Sequence, residues 1–171
     1  MMNYSRNELL VADAAINQLR NAIYHLARFI IKNGKDDLNA RLQRMGRNIA
    51  KTYIKYWTPA EIIDINNIKD VIITLYKKVL KSSVSVDLKE DDKLLVINDL
   101  DCALCKYEYD DIKVAGCEIL LGFISEFINL VNTNSKNRIV LMIEPIKIQE
   151  SKAFGNKSCI QIFKYKIEEK R

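Results

Sequence analysis

At Ser82-Ser83 the spacing of apolar residues switches from three and four to two, which restricts the chain to a helical half followed by a half that contains strands. Upstream, Leu9, Ala12, Ile16, Leu19, Ile23, Leu26 and Ile30 keep helical spacing without a break, as in one long amphipathic helix or the seam of a coiled coil. Asn33-Gly34 supplies its stop. A second helix is expected from Asp36 or Asp37 through Trp57, with Leu38, Leu42, Met45, Ile49, Tyr53 and Tyr56 on one face. Gly46 in its middle costs about 1 kcal/mol relative to Ala, which a close helix crossing would explain. Thr58-Pro59-Ala60-Glu61 combines a capping box with proline at the first helical position and predicts a short helix. Another begins near Asn67 and Asp70.

Downstream, Val84, Val86 and Leu88 alternate with polar residues, Glu90-Asp91-Asp92 turns the chain, and Leu94 to Ile97 reads as the returning strand. A helix from about Val114 to Val131 follows, then strands at 138–148 and 158–167 joined through Gly155-Asn156. The expected fold is α+β, with N-terminal helices packed on a mainly antiparallel sheet of four to five strands. One domain spans 1–171, its helical half at 1–82 and its α+β half at 84–168; a chain of this length buries a self-sufficient core.

The formal charge of +5, from 27 basic and 22 acidic residues, is spread along the chain and forms no concentrated basic stripe, so nucleic acid is not an expected partner. No apolar run reaches the roughly 20 residues needed to span a bilayer. The N-terminal residues lack the apolar region of a signal peptide, and a cytoplasmic protein is expected. In that compartment cysteines are thiols or metal ligands rather than disulfides.

All four cysteines fall after the period change. Cys102 and Cys105 form Cys-x-x-Cys, Cys117 opens an apolar helix, and Cys159 opens the last strand. Thiolates suit Zn²⁺, with four donors at ~2.3 Å, and side-by-side strands would let these four supply them. Two other readings stay open: small buried apolar residues, or a redox pair at Cys102 and Cys105. The redox reading meets opposition from Asp99, Asp101, Glu108, Asp110 and Asp111, whose charges disfavour a thiolate. His25 is the one histidine, and no phosphate loop, His-Glu-x-x-His helix or nicotinamide motif occurs, so no enzyme is expected.

Three blocks of the second half resemble the 4-vinyl reductase domain, in the superfamily shared with the Bet-type subunits of the TRAPP vesicle-tethering complex. They are Asp101-Cys-Ala-Leu-Cys105, Gly116-Cys-Glu-Ile-Leu-Leu-Gly-Phe-Ile-Ser-Glu-Phe127, and the stretch from Glu150 to Phe163. Leu42-Gln-Arg-Met-Gly-Arg-Asn-Ile49 is similar to a Met-Gly-x-Asn-Ile helix of TRAPP subunits. The resemblance covers about 35–167 and implies a zinc at positions matching Cys117, Glu150 and Cys159, plus one that is Ala153 here. That departure leaves Cys102 or Cys105 to complete the set.

Two functions are expected from these readings. The first is a small-molecule sensor or carrier, with an apolar ligand between the 114–131 helix and the sheet, lined by Ile119, Leu120, Phe123, Ile139 and Leu141. The second is a scaffold that forms a homodimer, as the TRAPP resemblance implies, through Leu9, Ile16, Leu19, Ile23, Leu26 and Ile30. The same seam also reads as the core face of a monomer's longest helix.

Overall fold

The computed structural model describes residues 6–34 and 37–170, with side chains described from residue 14 onward. Four helices, α1 (Arg6–Lys32), α2 (Leu38–Tyr53), α3 (Ile68–Leu75) and α4 (Glu118–Asn134), accompany four strands. The strands are β1 (Val84–Lys89), β2 (Leu94–Asp99), β3 (Ile139–Glu150) and β4 (Cys159–Glu169). They form one antiparallel sheet in the order β1-β2-β4-β3. This is the expected α+β architecture, in which two hairpins are joined side by side through β2 and β4.

The layers follow from apolar patterning. α4 is buried on nearly every side, from Ile119 and Leu120 through Phe127 and Ile128, because it lies between α2 and the sheet. A helix apolar all round belongs in the middle of a protein. Gly46 of α2 and Gly122 of α4 let the two backbones meet. Beside that crossing Trp57 stacks on Phe127 at 5.6 Å, and Tyr53 meets Phe123 edge-on at 5.7 Å.

Two expectations about the helical half are corrected. The second helix ends at Tyr53, and 58–67 contains no helix despite its capping box. The backbone there is bonded elsewhere: Ile63 N donates to Asn132 Oδ1 at 3.0 Å, and Asn132 Nδ2 donates to the Ile63 carbonyl at 2.8 Å. Asp64 Oδ1 then accepts from the amides of Asn66 and Asn67, a local turn that competes with helix. Asn132 also donates to the Leu141 carbonyl, so one buried amide ties loop, α4 and β3 together. Replacing it by Ala strands those groups without partners. Asn132→Ala is expected to lose about 3 kcal/mol in urea unfolding, whereas a loss below 1 kcal/mol would mean that the loop re-forms its bonds.

Candidate metal centre

β2 and β4 bring the distant cysteines together through their register. Asp99 pairs with Cys159, so the chain leaving β2 reaches Cys102 and Cys105 beside the start of β4. Cys105 ends a 3-10 turn over Ala103–Cys105, and Cys117 is the N-cap of α4. All four sulfur atoms lie within 4.8 Å of one another, and every cysteine is buried. A tetrahedral Zn²⁺ with bonds of ~2.3 Å needs sulfurs about 3.8 Å apart. The cluster therefore needs a contraction of about 1 Å at most to close around such an ion.

The surroundings favour one thiolate, at Cys105. Cys117 N donates to Cys105 Sγ at 3.3 Å, and Lys152 N donates to Cys159 Sγ at 3.4 Å. Hydrogen bonding to the charged form favours it. Cys105 is held well below the ordinary thiol range by hydrogen bonds from Cys102, then Cys117 and Cys159. Cys102 is pushed up chiefly by its bond to Cys105, and Cys117 by its bonds to Cys102 and Cys105, with burial adding to both. One negative sulfur is thus shared by its neighbours, and a divalent cation among them would stabilise the further thiolates they resist forming alone. The acidic side chains expected to oppose a thiolate do not prevail at Cys105. One of them, Asp111, is bonded to Arg28 instead.

Glu150 is not in the cluster: it lies half-buried at the end of β3, opposite Ile160. Ala153 is buried beside Ser151, whose hydroxyl accepts from Ala153 N. Both sulfurs of Cys102-Ala-Leu-Cys105 stand where a set containing Glu150 would have needed only one. Sequence reasoning missed Tyr24, whose hydroxyl accepts from Gly116 N at 3.3 Å and hydrogen-bonds Cys105. Burial, followed by the charge of Cys105, pushes the Tyr24 phenol up. The only sequence signal was a tyrosine on the inner face of α1.

The residues expected to line a ligand pocket differ in exposure. Ile119, Leu120, Phe123 and Leu141 are buried among other core residues, whereas Ile139 is 66% exposed at the start of edge strand β3. A groove of about 690 Å³ lies elsewhere, between α1 and α2, lined by Leu26, Met45, Ile49, Tyr53 and Tyr56 among others.

The expected α1 seam divides between two faces. Ile23 and Ile30 point into the body with Tyr24 and Ala27. Ile16 is half-buried, and the Leu9 side chain is outside the described residues. Leu19 and Leu26 face outward at 42% and 43% exposure, joined by Phe29 at 66%. With exposed Ala15 and Ala22 they repeat at four, three, four and three along a helix about 40 Å long. A 27-residue helix whose apolar arc is wider than one contact face can serve the core and still present a stripe.

A four-stranded antiparallel sheet backed by layered helices is a fold shared with a solved protein. The trafficking protein particle complex subunit 3 of Naegleria fowleri, solved with covalently bound palmitic acid, superposes with a TM-score of 0.67, covering 92% of this chain and 99% of that one. At 14% identity the likeness is one of fold. No family model and no curated protein matches the sequence. Among the described residues, no helix is long and apolar enough to cross a membrane.

Proposed function

We propose that the protein is a non-enzymatic interaction module that pairs with a second copy of itself across the α1 and α2 face, on a fold closed by a four-thiolate Zn²⁺ site. The observation that carries the pairing is the outward stripe of Ala15, Leu19, Ala22, Leu26 and Phe29, continued by Ile49 on α2 and by the 82% exposed Tyr56 in the turn that follows it. Apolar residues at alternating spacings of three and four interlock with the same spacing on a facing helix, so the stripe is its own complement about a twofold axis. Likeness in fold to a subunit of a multi-protein complex supports the same reading.

Zinc is the metal that the donor set fits. Four buried sulfurs within 4.8 Å of one another suit Zn²⁺ or iron, and four protein ligands leave no open position for substrate, which marks a structural role. The 4-vinyl reductase resemblance supports it through Cys117 and Cys159, while Cys102 and Cys105 supply the other two donors.

Two measurements test the proposal. Metal analysis is expected to find one zinc per chain, and sedimentation at micromolar concentration is expected to give a dimer. Leu26→Asp puts a charge on the outward stripe without entering the core, and is expected to weaken pairing at least ~100-fold, about 2.7 kcal/mol. Ile23→Asp is unsuited to this test because Ile23 is buried in the body. A wild-type monomer at high micromolar concentration would remove the pairing, and a metal-free native protein would remove the site.

A second reading, binding of an apolar molecule, draws on the palmitic acid held by the trafficking subunit and on the groove between α1 and α2. Here all four cysteines belong to the sulfur cluster, so a thioester on any of them would withdraw a metal ligand. Native mass spectrometry after incubation with a fatty acid separates the readings. A non-covalent adduct abolished by Leu26→Asp would favour the groove.

A further inference from the structure

The helix that carries the outward stripe is joined to the body by its buried Ile23, Ala27 and Ile30 and by polar and aromatic contacts to the thiolate loop. α1 has little contact with α2, and its main neighbour among the regular elements is the 3-10 turn at Ala103–Cys105. Its polar and aromatic anchors repeat every four residues along one face. Arg20 Nη1 donates to the Ala103 carbonyl at 2.9 Å, between two of the cluster's cysteines. The Tyr24 hydroxyl takes the amide of Gly116, the residue before Cys117, and its ring lies 4.3 Å from that of Tyr109. Arg28 Nη2 donates to Asp111 Oδ1 at 2.8 Å, and its guanidinium lies over Tyr109.

Every one of these partners falls between Cys102 and Cys117 in sequence. From 106 to 116 the loop has neither helix nor strand, and the one backbone hydrogen bond within it, from Ile112 N to the Tyr109 carbonyl, is 3.5 Å long. Its course is therefore set by its ends, by α1 and by the burial of Ile112, Val114 and Ala115. A segment with so little internal bonding opens at low cost unless its ends are held. Cys102, Cys105 and Cys117 are those ends, and a metal joining them closes the loop.

We infer that the metal centre is the clasp that docks α1. With the metal bound, the loop offers the Ala103 carbonyl, the Tyr109 ring, the Asp111 carboxylate and the Gly116 amide to Arg20, Tyr24 and Arg28. Without it the loop opens and α1 leaves the body, so the paired face is complete only in the metal-loaded chain. The sheet, α2 and α4 keep a core of their own, from Leu42 and Phe127 to Leu95 and Phe163. This inference rests on the zinc and pairing readings above and adds the coupling between them.

The test is hydrogen exchange on the full chain as purified with its metal, before and after a zinc chelator, with sedimentation in parallel. Chelation is expected to speed exchange at least tenfold in α1 from residue 14 to 32 and in 103–116. Strands 94–99 and 161–167 are expected to keep their protection. The dimer is expected to dissociate, and added Zn²⁺ to restore both. Arg20→Ala combined with Arg28→Ala leaves all four sulfurs intact, and is expected to retain one zinc per chain while α1 exchanges fast and pairing fails. Unchanged protection of α1 on chelation, equal loss of protection in the sheet, or a docked α1 in the double variant would each overturn the clasp. A protein without metal would defeat the zinc reading itself. A monomer whose α1 still responds to chelation would defeat the pairing and leave the clasp standing.

Discussion

Gly46→Ala is expected to destabilise the protein by about 3 kcal/mol or more, although alanine is the better helix former by about 1 kcal/mol. A Cβ at Gly46 would fall on the Ile119 carbonyl oxygen and lie 2.7 Å from Phe123 N. From the other side, a Cβ at Gly122 would fall on the Gln43 carbonyl. Both obstacles are backbone, so no change of rotamer relieves them, and the helices would have to part by roughly 1–2 Å. That separation opens the contact between α2 and α4 along its length, including the aromatic group around Phe127. For a chain of this size the loss corresponds to a fall in Tm of about 6–12 °C. An unchanged or raised Tm would show that propensity wins and that the helices do not cross this closely.

Cys117→Ser is expected to cost the proposed metal and with it about 4 kcal/mol, the linkage contribution of a ligand present at about 1,000 times its Kd. The matching fall in Tm is about 8–16 °C. A chelator should take the wild-type protein to the same Tm and leave the variant unmoved, because both act on one bound ion. The pH dependence has a definite sign. Thiols must lose their protons to bind, and Cys102 and Cys117 hold theirs above the usual range when no metal is present. Loading therefore releases protons and strengthens as pH rises. The metal's share of stability should be present at neutral pH and above, and lost as acid returns the protons. Loss of stability in Cys117→Ser without any zinc in the wild-type protein would assign Cys117 a packing role instead.

Much of this architecture was legible because periodicity reports directly on burial. Alternation at Val84, Val86 and Leu88 marked a half-buried strand, and the cysteine positions pointed to one cluster once the two hairpins were set side by side. The exceptions share a cause, a tertiary partner that local pattern cannot reveal. The capping box at Thr58 yielded to the buried amide of Asn132, 69 residues from Ile63. Glu150 had a position in the resemblance in its favour, whereas the register beside Cys159 brings the Cys-x-x-Cys pair into the sulfur cluster. The α1 seam was legible as a stripe but not as two, since spacing alone does not tell which part of a wide apolar arc meets the body. Ile139 looked like a pocket residue until its strand proved to be the edge of the sheet.

The strand order carries a consequence for how the molecule is made. β4 fills the gap between β2 and β3 and follows both in the sequence, so the β1-β2 hairpin and the β3 strand stay unjoined until β4 has been made. Cys159 arrives with that strand. Sheet closure and completion of the sulfur quartet are thus one late event.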